Sequence, residues 1–85
     1  MTKVDKFILK IISGKVDHDI DFEKMVDLLI TRGFHLRIKG SHHILWKENV
    51  SEIINVQSIR NKAKPYQVKQ VRNILIKYKL IDNEP

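Results

Sequence analysis

Apolar residues recur along this chain with two different spacings. In three segments, the last of which follows Pro65, they have the i, i+3, i+4 spacing that places them on one face of a helix. The first segment predicts a helix over residues 3–13, which Gly14 ends. The second predicts a helix that begins at Asp21, a favourable N-cap residue, and ends at Gly33. Both helices are amphipathic, so each needs an apolar surface against which to pack.

After Gly33 apolar and polar residues alternate, and this period of two is typical of half-buried strands. The predicted strands cover residues 34–39, 41–47 and 53–57. Lys39-Gly40 is predicted to be the two-residue turn of the first hairpin, because glycine has the backbone freedom that such turns need. Residues 60–64 are polar and predict a loop, and Pro65 predicts the start of a final helix that reaches about Leu80.

These elements, in the order α-α-β-β-β-α, predict an α+β fold in which helices cover one face of a three-stranded antiparallel sheet. The other face of the sheet is open to solvent or to a partner. With 85 residues the chain is expected to form a single domain over residues 1–85. Residues 1–18 are interpreted as an N-terminal helical extension and residues 82–85 as a tail.

The turn determines which face each histidine occupies, because paired residues of neighbouring strands share a face. With Lys39-Gly40 as the turn, Arg37 pairs with His42 and Leu36 pairs with His43. His43 then faces the helices and His42 faces the open side. If the apolar residues of the third strand face the helices, the open side also carries His35, Arg37, Ile44, Trp46, Asn55 and Gln57. A register change of one residue would reverse the facing of the second strand.

The chain has a net charge of +6, and its charges are unevenly distributed. Residues 60–79 contain seven bases and no acid, whereas residues 17–27 contain five acids and one lysine. The basic segment suits a polyanion such as RNA. Within it, Tyr66 and Lys69 lie on the side of the last helix opposite its apolar face, where an aromatic ring can stack on a base. The alternative interpretation is a solvated helix face whose charges serve solubility.

The chain contains no cysteine, which excludes disulfides and thiolate metal sites. No group of residues has the spacing of metal ligands, and neither a metal nor another cofactor is expected. His42 is the candidate for proton transfer, because histidine titrates near neutral pH. A lone histidine is more often structural, and this is the interpretation preferred for His43. No signal peptide or membrane-spanning run is apparent, which predicts a cytoplasmic protein without membrane association.

Two motifs of this chain have the order and spacing of motifs found together in one protein family. The first is Gly40-Ser41-His42-His43-Ile44, which follows an amphipathic helix that ends in Arg32-Gly33-Phe34. The second is the run Lys62-Ala63-Lys64-Pro65-Tyr66-Gln67-Val68-Lys69-Gln70-Val71-Arg72. Over residues 21–81 the chain thereby resembles the HicA family, the small ribonuclease toxins of HicA–HicB type II toxin–antitoxin systems. The second motif is similar to one branch of that family, in which the first helix is an extension.

The resemblance implies a fold similar to a double-stranded RNA-binding domain and the activity of an mRNA interferase, an endoribonuclease that cleaves mRNA. It implies a metal-independent hydrolase that needs no cofactor and that a HicB-type antitoxin protein neutralises. The family's catalytic histidine carries over to His42, and its supporting turn carries over to Gly40 and Ser41. Many members have a Pro-x-His motif after the third strand, whereas this chain has Gln57-Ser58-Ile59-Arg60 and no histidine there.

Several cations and one aromatic residue are expected to bind mRNA: Arg37, Lys39, Lys62, Lys64, Tyr66, Lys69 and Arg72. Ile44 and Trp46 are expected to contact either the RNA or the antitoxin, because exposed apolar residues on a sheet often mark a contact surface. Two alternatives stay open. One is a non-catalytic RNA-binding module of the same fold, and the other is an interaction protein whose open sheet face binds a partner protein.

Overall fold

The computed structural model describes residues 6–81 of the chain. Within these residues the chain forms three helices: α1 (Lys6–Ser13), α2 (Phe22–Thr31) and α3 (Pro65–Lys77). The main sheet is antiparallel and contains, in spatial order, β1 (His35–Lys39), β2 (His42–Lys47) and β3 (Val50–Val56). The predicted α+β class with a three-stranded antiparallel sheet is therefore confirmed. The predicted start of the first helix and the predicted tail lie outside the described residues.

Local capping signals fix the ends of α2 where the sequence predicts them. Asp21 is the N-cap, and its carboxylate accepts a hydrogen bond from the backbone N–H of Lys24 at 3.0 Å. Gly33 follows the last turn with a φ of 98°, a value that L side chains rarely adopt. The N–H of Phe34 then donates to the carbonyl of Leu29 at 3.0 Å, which completes a Schellman motif. This motif turns the chain directly from α2 into β1.

Helix α3 begins at Pro65, as predicted, but ends at Lys77 rather than near Leu80. The cause is Lys79, which adopts a left-handed φ of 56°. Leu80 N–H then donates to the carbonyl of Leu75 at 2.8 Å, so this end is also a Schellman motif. Because a lysine takes the position that glycine usually occupies, the sequence carries no signal for the stop.

The predicted register of the first hairpin is wrong, although the predicted facing is right. The two-residue turn is Gly40-Ser41 rather than Lys39-Gly40, so His42 pairs with Lys39 and His43 pairs with Ile38. Gly40 has a φ of 60°, and a glycine at the first position of a two-residue loop is what a type II′ turn requires. Because the turn lies one residue further along the chain, each residue of β2 pairs with a β1 residue two positions later than predicted. Side chains alternate with a period of two, so this shift leaves every side chain on its predicted face. Ser41, predicted to be the first residue of the second strand, lies in the turn and is exposed.

Two further boundaries differ from the prediction. Strand β3 begins at Val50 instead of residue 53, because Asn49 adopts a φ of 70° and closes a short turn. The predicted loop over residues 60–64 contains most of a small hairpin, formed by β4 (Ser58–Ile59) and β5 (Lys62–Ala63). Its turn consists of Arg60 and Asn61, with φ values of 51° and 68°, the positive values that a type I′ turn needs. The element order therefore has a hairpin between β3 and α3 that the prediction lacks.

The core lies between the helices and one face of the sheet, called here the inner face. Its fully buried side chains come from all three helices, from the segment before α2, and from β2 and β3: Ile8, Ile11, Ile20, Met25, Leu29, Leu45, Ile54, Val56, Val68, Val71 and Leu75. Burying each such side chain stabilises the fold by roughly 1.5–3 kcal/mol. No helix within residues 6–81 is long and apolar enough to span a lipid bilayer.

Candidate active site on the outer face of the sheet

The face of the sheet that points away from the helices is called here the outer face. Because side chains alternate along a strand, the buried residues Leu45, Ile54 and Val56 define the inner face and their neighbours define the outer one. The outer face carries His35, Arg37 and Lys39 from β1, His42, Ile44 and Trp46 from β2, Ile53 and Asn55 from β3, and Gln57 just after β3. The predicted catalytic residue His42 and two of the predicted RNA-binding cations, Arg37 and Lys39, thus share one face.

The imidazole of His42 is exposed, and two amide side chains hold its two nitrogens. Nδ1 lies 3.0 Å from Oδ1 of Asn55. Nε2 lies 3.3 Å from Nε2 of Gln57. The same Gln57 nitrogen donates a hydrogen bond to Oγ of Ser41 at 2.9 Å. Asn55 and Gln57 therefore orient the ring of His42, and Gln57 is itself bonded to the preceding turn through Ser41.

These contacts favour one tautomer of the ring. An amide oxygen only accepts hydrogen bonds, so the contact with Asn55 requires the proton on Nδ1. An amide nitrogen only donates, so the contact with Gln57 requires a lone pair on Nε2. Both partners agree on a neutral imidazole whose Nε2 is the basic atom. Such a nitrogen on an open face can accept a proton from a bound substrate.

Two cations lie on the outer face next to His42. Lys39 is its direct cross-strand partner, which places the two Cβ atoms about 4.5–5.5 Å apart. Arg37, which was expected to pair with His42, pairs with Ile44 and so lies diagonal to the histidine. Both cations are exposed, and neither forms an ion pair with any residue in the range 6–81. Their charges are therefore available to a bound anion.

The other end of the outer face is aromatic and apolar. The ring of His35 lies 5.4 Å from the indole of Trp46, between centroids, at a tilt of 33°. Nε2 of His35 is 2.8 Å from a carboxylate oxygen of Glu48. The pKa of Glu48 is lowered, first by a backbone hydrogen bond and then by the bond with His35. With Ile53, which is 64% exposed, these groups form a flat surface that suits a nucleobase or an apolar partner.

The neighbouring histidine occupies the opposite face. His43 is half-buried against α2, where its ring meets that of Phe22 edge-on with 4.9 Å between centroids. Its Nδ1 is buried and has no hydrogen-bond partner among the described residues. The predicted assignment of His43 to the helix side is thereby confirmed, but the hydrogen bond expected of a structural histidine is missing at this nitrogen.

Two of the predicted RNA-binding cations are held by acids from the loop between α1 and α2. Nζ of Lys62 lies 2.8 Å from Asp19, and this hydrogen bond raises the pKa of Lys62 and lowers that of Asp19. The guanidinium of Arg72 donates to the carboxylate of Asp17 at 2.8 Å and to the carbonyl of Ile11 at 3.2 Å. Both side chains of the Arg72–Asp17 pair are largely buried. Whether these cations also bind RNA stays a prediction, but each already has a structural partner.

The remaining predicted RNA-binding residues are Lys64, the N-cap of α3, and Tyr66 and Lys69 within that helix. Tyr66 is 63% exposed, and Nζ of Lys64 lies 6.0 Å from its ring centroid. Lys69 is exposed and lines a shallow groove together with Tyr66, Gln70, Asn73 and Glu52. An exposed ring and an exposed ammonium can bind a single-stranded segment by stacking and charge.

Asn55 and Gln57 are the residues of this site that the sequence did not single out. The period of two placed them on the outer face, but a strand pattern does not tell which side chains meet across it. That information is in the register of β2 and β3, where His43 pairs with Val56 and Ile44 pairs with Asn55. With this register Gln57 follows directly opposite His42, and Asn55 lies diagonal to it.

Comparisons with known proteins do not assign this site. No protein-family model, no curated protein and no solved structure matches the chain. Within residues 6–81 no group of three or more histidine and acidic side chains is placed to hold a metal ion. The chemistry that the arrangement itself offers is proton transfer at Nε2 of His42, next to the positive charges of Lys39 and Arg37.

Proposed function

We propose that this protein is a metal-independent endoribonuclease of the HicA type, a toxin that cleaves mRNA in the cytoplasm and that a HicB-type antitoxin neutralises. The observation that supports it most is the environment of His42, a neutral imidazole held by Asn55 with its basic nitrogen on an open face beside Lys39 and Arg37. The Gly40-Ser41-His42 motif adds independent support. The proposal includes a fold like that of double-stranded RNA-binding domains, formed by β1–β3 with α2 and α3.

The proposed reaction uses the RNA's own 2′-hydroxyl as the nucleophile. A bond forms between the 2′-oxygen and the adjacent phosphorus, and Nε2 of His42 takes the hydroxyl proton. The bond between phosphorus and the 5′-oxygen breaks, and the leaving oxygen is protonated by the imidazolium or by water. The products are a 2′,3′-cyclic phosphate and a 5′-hydroxyl, and DNA is not a substrate because it lacks the 2′-hydroxyl. One well-placed imidazole accelerates such a step roughly 10²–10⁴-fold.

Charge on the phosphate increases as the 2′-oxygen attacks. Lys39 and Arg37 lie on the same face as His42 and have no ion-pair partner within residues 6–81, so they are the groups that stabilise this charge. Trp46 and the half-buried Ile44 extend the same face and contact either a flanking base or the antitoxin. Lys62 contributes less, because Asp19 already neutralises it.

The test is cleavage of a single-stranded RNA by the purified chain and two variants. The wild type is expected to cleave the RNA in excess EDTA, to leave 2′,3′-cyclic phosphate ends and to spare a DNA copy. His42→Ala is expected to lose at least about a hundredfold in rate and less than about 1 kcal/mol in stability, because the side chain is exposed. His18→Ala is the matched control, because His18 is exposed in the loop before α2, and it is expected to cleave normally.

Each part of the proposal can fail separately in this assay. Cleavage that stops in EDTA and returns with Mg²⁺ or Zn²⁺ contradicts the metal-free route. Products with 5′-phosphate ends contradict attack by the 2′-hydroxyl. A His42→Ala variant that retains more than a tenth of the wild-type rate contradicts the role of His42.

A non-catalytic RNA-binding module is the second candidate. It is favoured by one observation: within residues 6–81 the side chains bonded to His42 are the uncharged amides of Asn55 and Gln57, and no second acid or base touches the ring. Such a module would bind RNA with a steep dependence on salt but would leave it intact. The same assay with a binding measurement distinguishes the two candidates.

A further inference from the structure

The two nitrogens of His42 contact two amide side chains that lie two positions apart, Asn55 in β3 and Gln57 just after it. We infer that Asn55 is a positioning residue, whose side-chain oxygen keeps His42 in the tautomer that presents Nε2 to the RNA as a base. This inference rests on the proposed function and deepens it. It assigns a role to a residue that lies outside both sequence motifs.

The two partners of the ring have opposite hydrogen-bonding character. A neutral imidazole has one donor nitrogen and one acceptor nitrogen. The oxygen of Asn55, 3.0 Å from Nδ1, requires the donor there. The nitrogen of Gln57, 3.3 Å from Nε2, requires the acceptor there. Both amide side chains favour the same tautomer, and the contact with Asn55 is the shorter of the two, at 3.0 Å against 3.3 Å.

The tautomer of His42 decides whether the ring can act as a base on the open side. The free imidazole of histidine in water favours the opposite tautomer, with the proton on Nε2. In that form Nε2 is a donor and cannot take a proton from a 2′-hydroxyl. The hydrogen bond to one ring nitrogen decides which nitrogen carries the proton, and Asn55 supplies this bond.

The arrangement of His42 and Asn55 is rigid. Asn55 pairs with Ile44 in the ladder between β2 and β3, so both side chains are carried by paired strands and not by a mobile loop. Gln57 is bonded more closely to Ser41 than to His42, at 2.9 Å against 3.3 Å. The weaker bond is the one that the substrate hydroxyl replaces at Nε2. The bond with Asn55 lies on the far nitrogen and persists when RNA binds.

The test reads the tautomer directly, in the free protein, from long-range ¹H–¹⁵N NMR spectra of the ring nitrogens at alkaline pH. The wild type is expected to give the Nδ1–H pattern for His42, with the signals assigned by their disappearance in His42→Ala. Asn55→Leu and Asn55→Ala remove the acceptor and are expected to give mainly the Nε2–H pattern. Asn55→Asp retains an acceptor and is expected to keep the wild-type pattern. Gln57→Leu is the control, because it removes the partner of the other nitrogen and leaves the acceptor in place.

The kinetic readout is the rate of RNA cleavage by the same proteins, measured at a temperature below the melting temperature of every variant. Asn55→Leu is expected to cleave about tenfold more slowly than the wild type, because the competent tautomer becomes the minor form. An unchanged Nδ1–H pattern in both Asn55→Leu and Asn55→Ala overturns the inference. A changed pattern with a rate within twofold of the wild type also overturns it. If the wild type cleaves no RNA, the proposed function fails, while the spectra still decide whether Asn55 selects the tautomer.

Discussion

The cations of this molecule lie in two regions that differ in their ion pairs, a difference that the sequence alone does not show. On the outer face of the sheet, Arg37 and Lys39 have no acidic partner within residues 6–81. In the basic segment over residues 60–79, three of the seven bases are paired with acids far away in the sequence. These pairs are Lys62 with Asp19, Arg72 with Asp17, and Lys77 with Glu52.

A run of bases therefore does not by itself define an anion-binding surface. The acidic stretch and the basic stretch, which look like two oppositely charged ends of the chain, meet in the fold through Asp17 and Asp19. The positive charges in these ion pairs are therefore already neutralised by acids of the same chain and are less available to a bound anion. Arg37 and Lys39 lie on the five-residue strand β1 next to His42, and neither has an ion-pair partner among residues 6–81.

The largest effect on stability is expected for Arg72, because its ion pair with Asp17 gives it a structural role. Arg72→Ala removes one partner of a pair whose side chains are only 17% and 13% exposed, and it leaves Asp17 without its counterion. We expect the free energy of unfolding to fall by about 2–4 kcal/mol, somewhat less than for a fully buried pair. Urea unfolding measures this change.

Lys69→Ala is the control for Arg72, because Lys69 lies one turn earlier on α3 and is exposed. It is expected to stay within about 0.5 kcal/mol of the wild type. If Arg72→Ala is as stable as Lys69→Ala but binds RNA much more weakly, Arg72 belongs with the binding cations and the division into two regions is wrong at this residue.

The next effect concerns the two faces of β2. His43→Ala is expected to destabilise the fold by about 1–2 kcal/mol, because alanine cannot make the edge-on packing against Phe22. Since Nδ1 of His43 has no partner among the described residues, His43→Phe is expected to cost less than His43→Ala. Thermal unfolding compares both variants, and each folded variant is expected to cleave RNA within several-fold of the wild type. Abolished cleavage at unchanged stability would move the catalytic assignment from His42 to His43.

The local signals of the sequence were sufficient for much of this fold. Asp21, Gly33 and Pro65 predicted helix ends where the structure has them, because each acts through backbone groups within one turn. The facing of His42 and His43 was also predictable, since a turn displaced by one residue changes every partner by two and leaves the face unchanged.

What the sequence could not provide depends on interactions between distant residues. The bond between Asn55 and His42 needs the register of β2 on β3, and the pair of Arg72 with Asp17 joins residues 55 positions apart. The stop at Lys79 and the turn at Arg60 and Asn61 place non-glycine residues at positive φ, so no glycine indicates them. Sequence charge alone therefore could not separate the two groups of cations.

A smaller effect is expected for the cations of the outer face. Arg37→Gln and Lys39→Gln are each expected to leave stability nearly unchanged and to weaken RNA binding. The slope of the logarithm of affinity against the logarithm of salt concentration is expected to fall by about 0.7 for each phosphate of single-stranded RNA that is no longer neutralised. Lys77→Gln is the matched control, because Glu52 already pairs with Lys77, and its slope is expected to change less. Equal changes for all three variants would remove the distinction between paired and unpaired cations.

The smallest effect is expected for Glu52, the acid that holds the end of α3. Hydrogen bonds from the Tyr78 hydroxyl at 2.6 Å and from Lys77 lower the pKa of Glu52 from 4.5 to about 2. Because the folded-state pKa is the lower one, this contribution to stability is complete above pH 4.5 and is lost as the pH falls toward 2. Glu52→Gln is therefore expected to melt below the wild type near neutral pH, and the difference is expected to vanish toward pH 2.

Asp27→Asn is the control, because Asp27 is an exposed acid of α2 without an ion pair in residues 6–81. Its melting temperature is expected to show no such convergence with that of the wild type. A Glu52→Gln difference that stays constant across this pH range would mean that the carboxylate does not stabilise the fold through its charge.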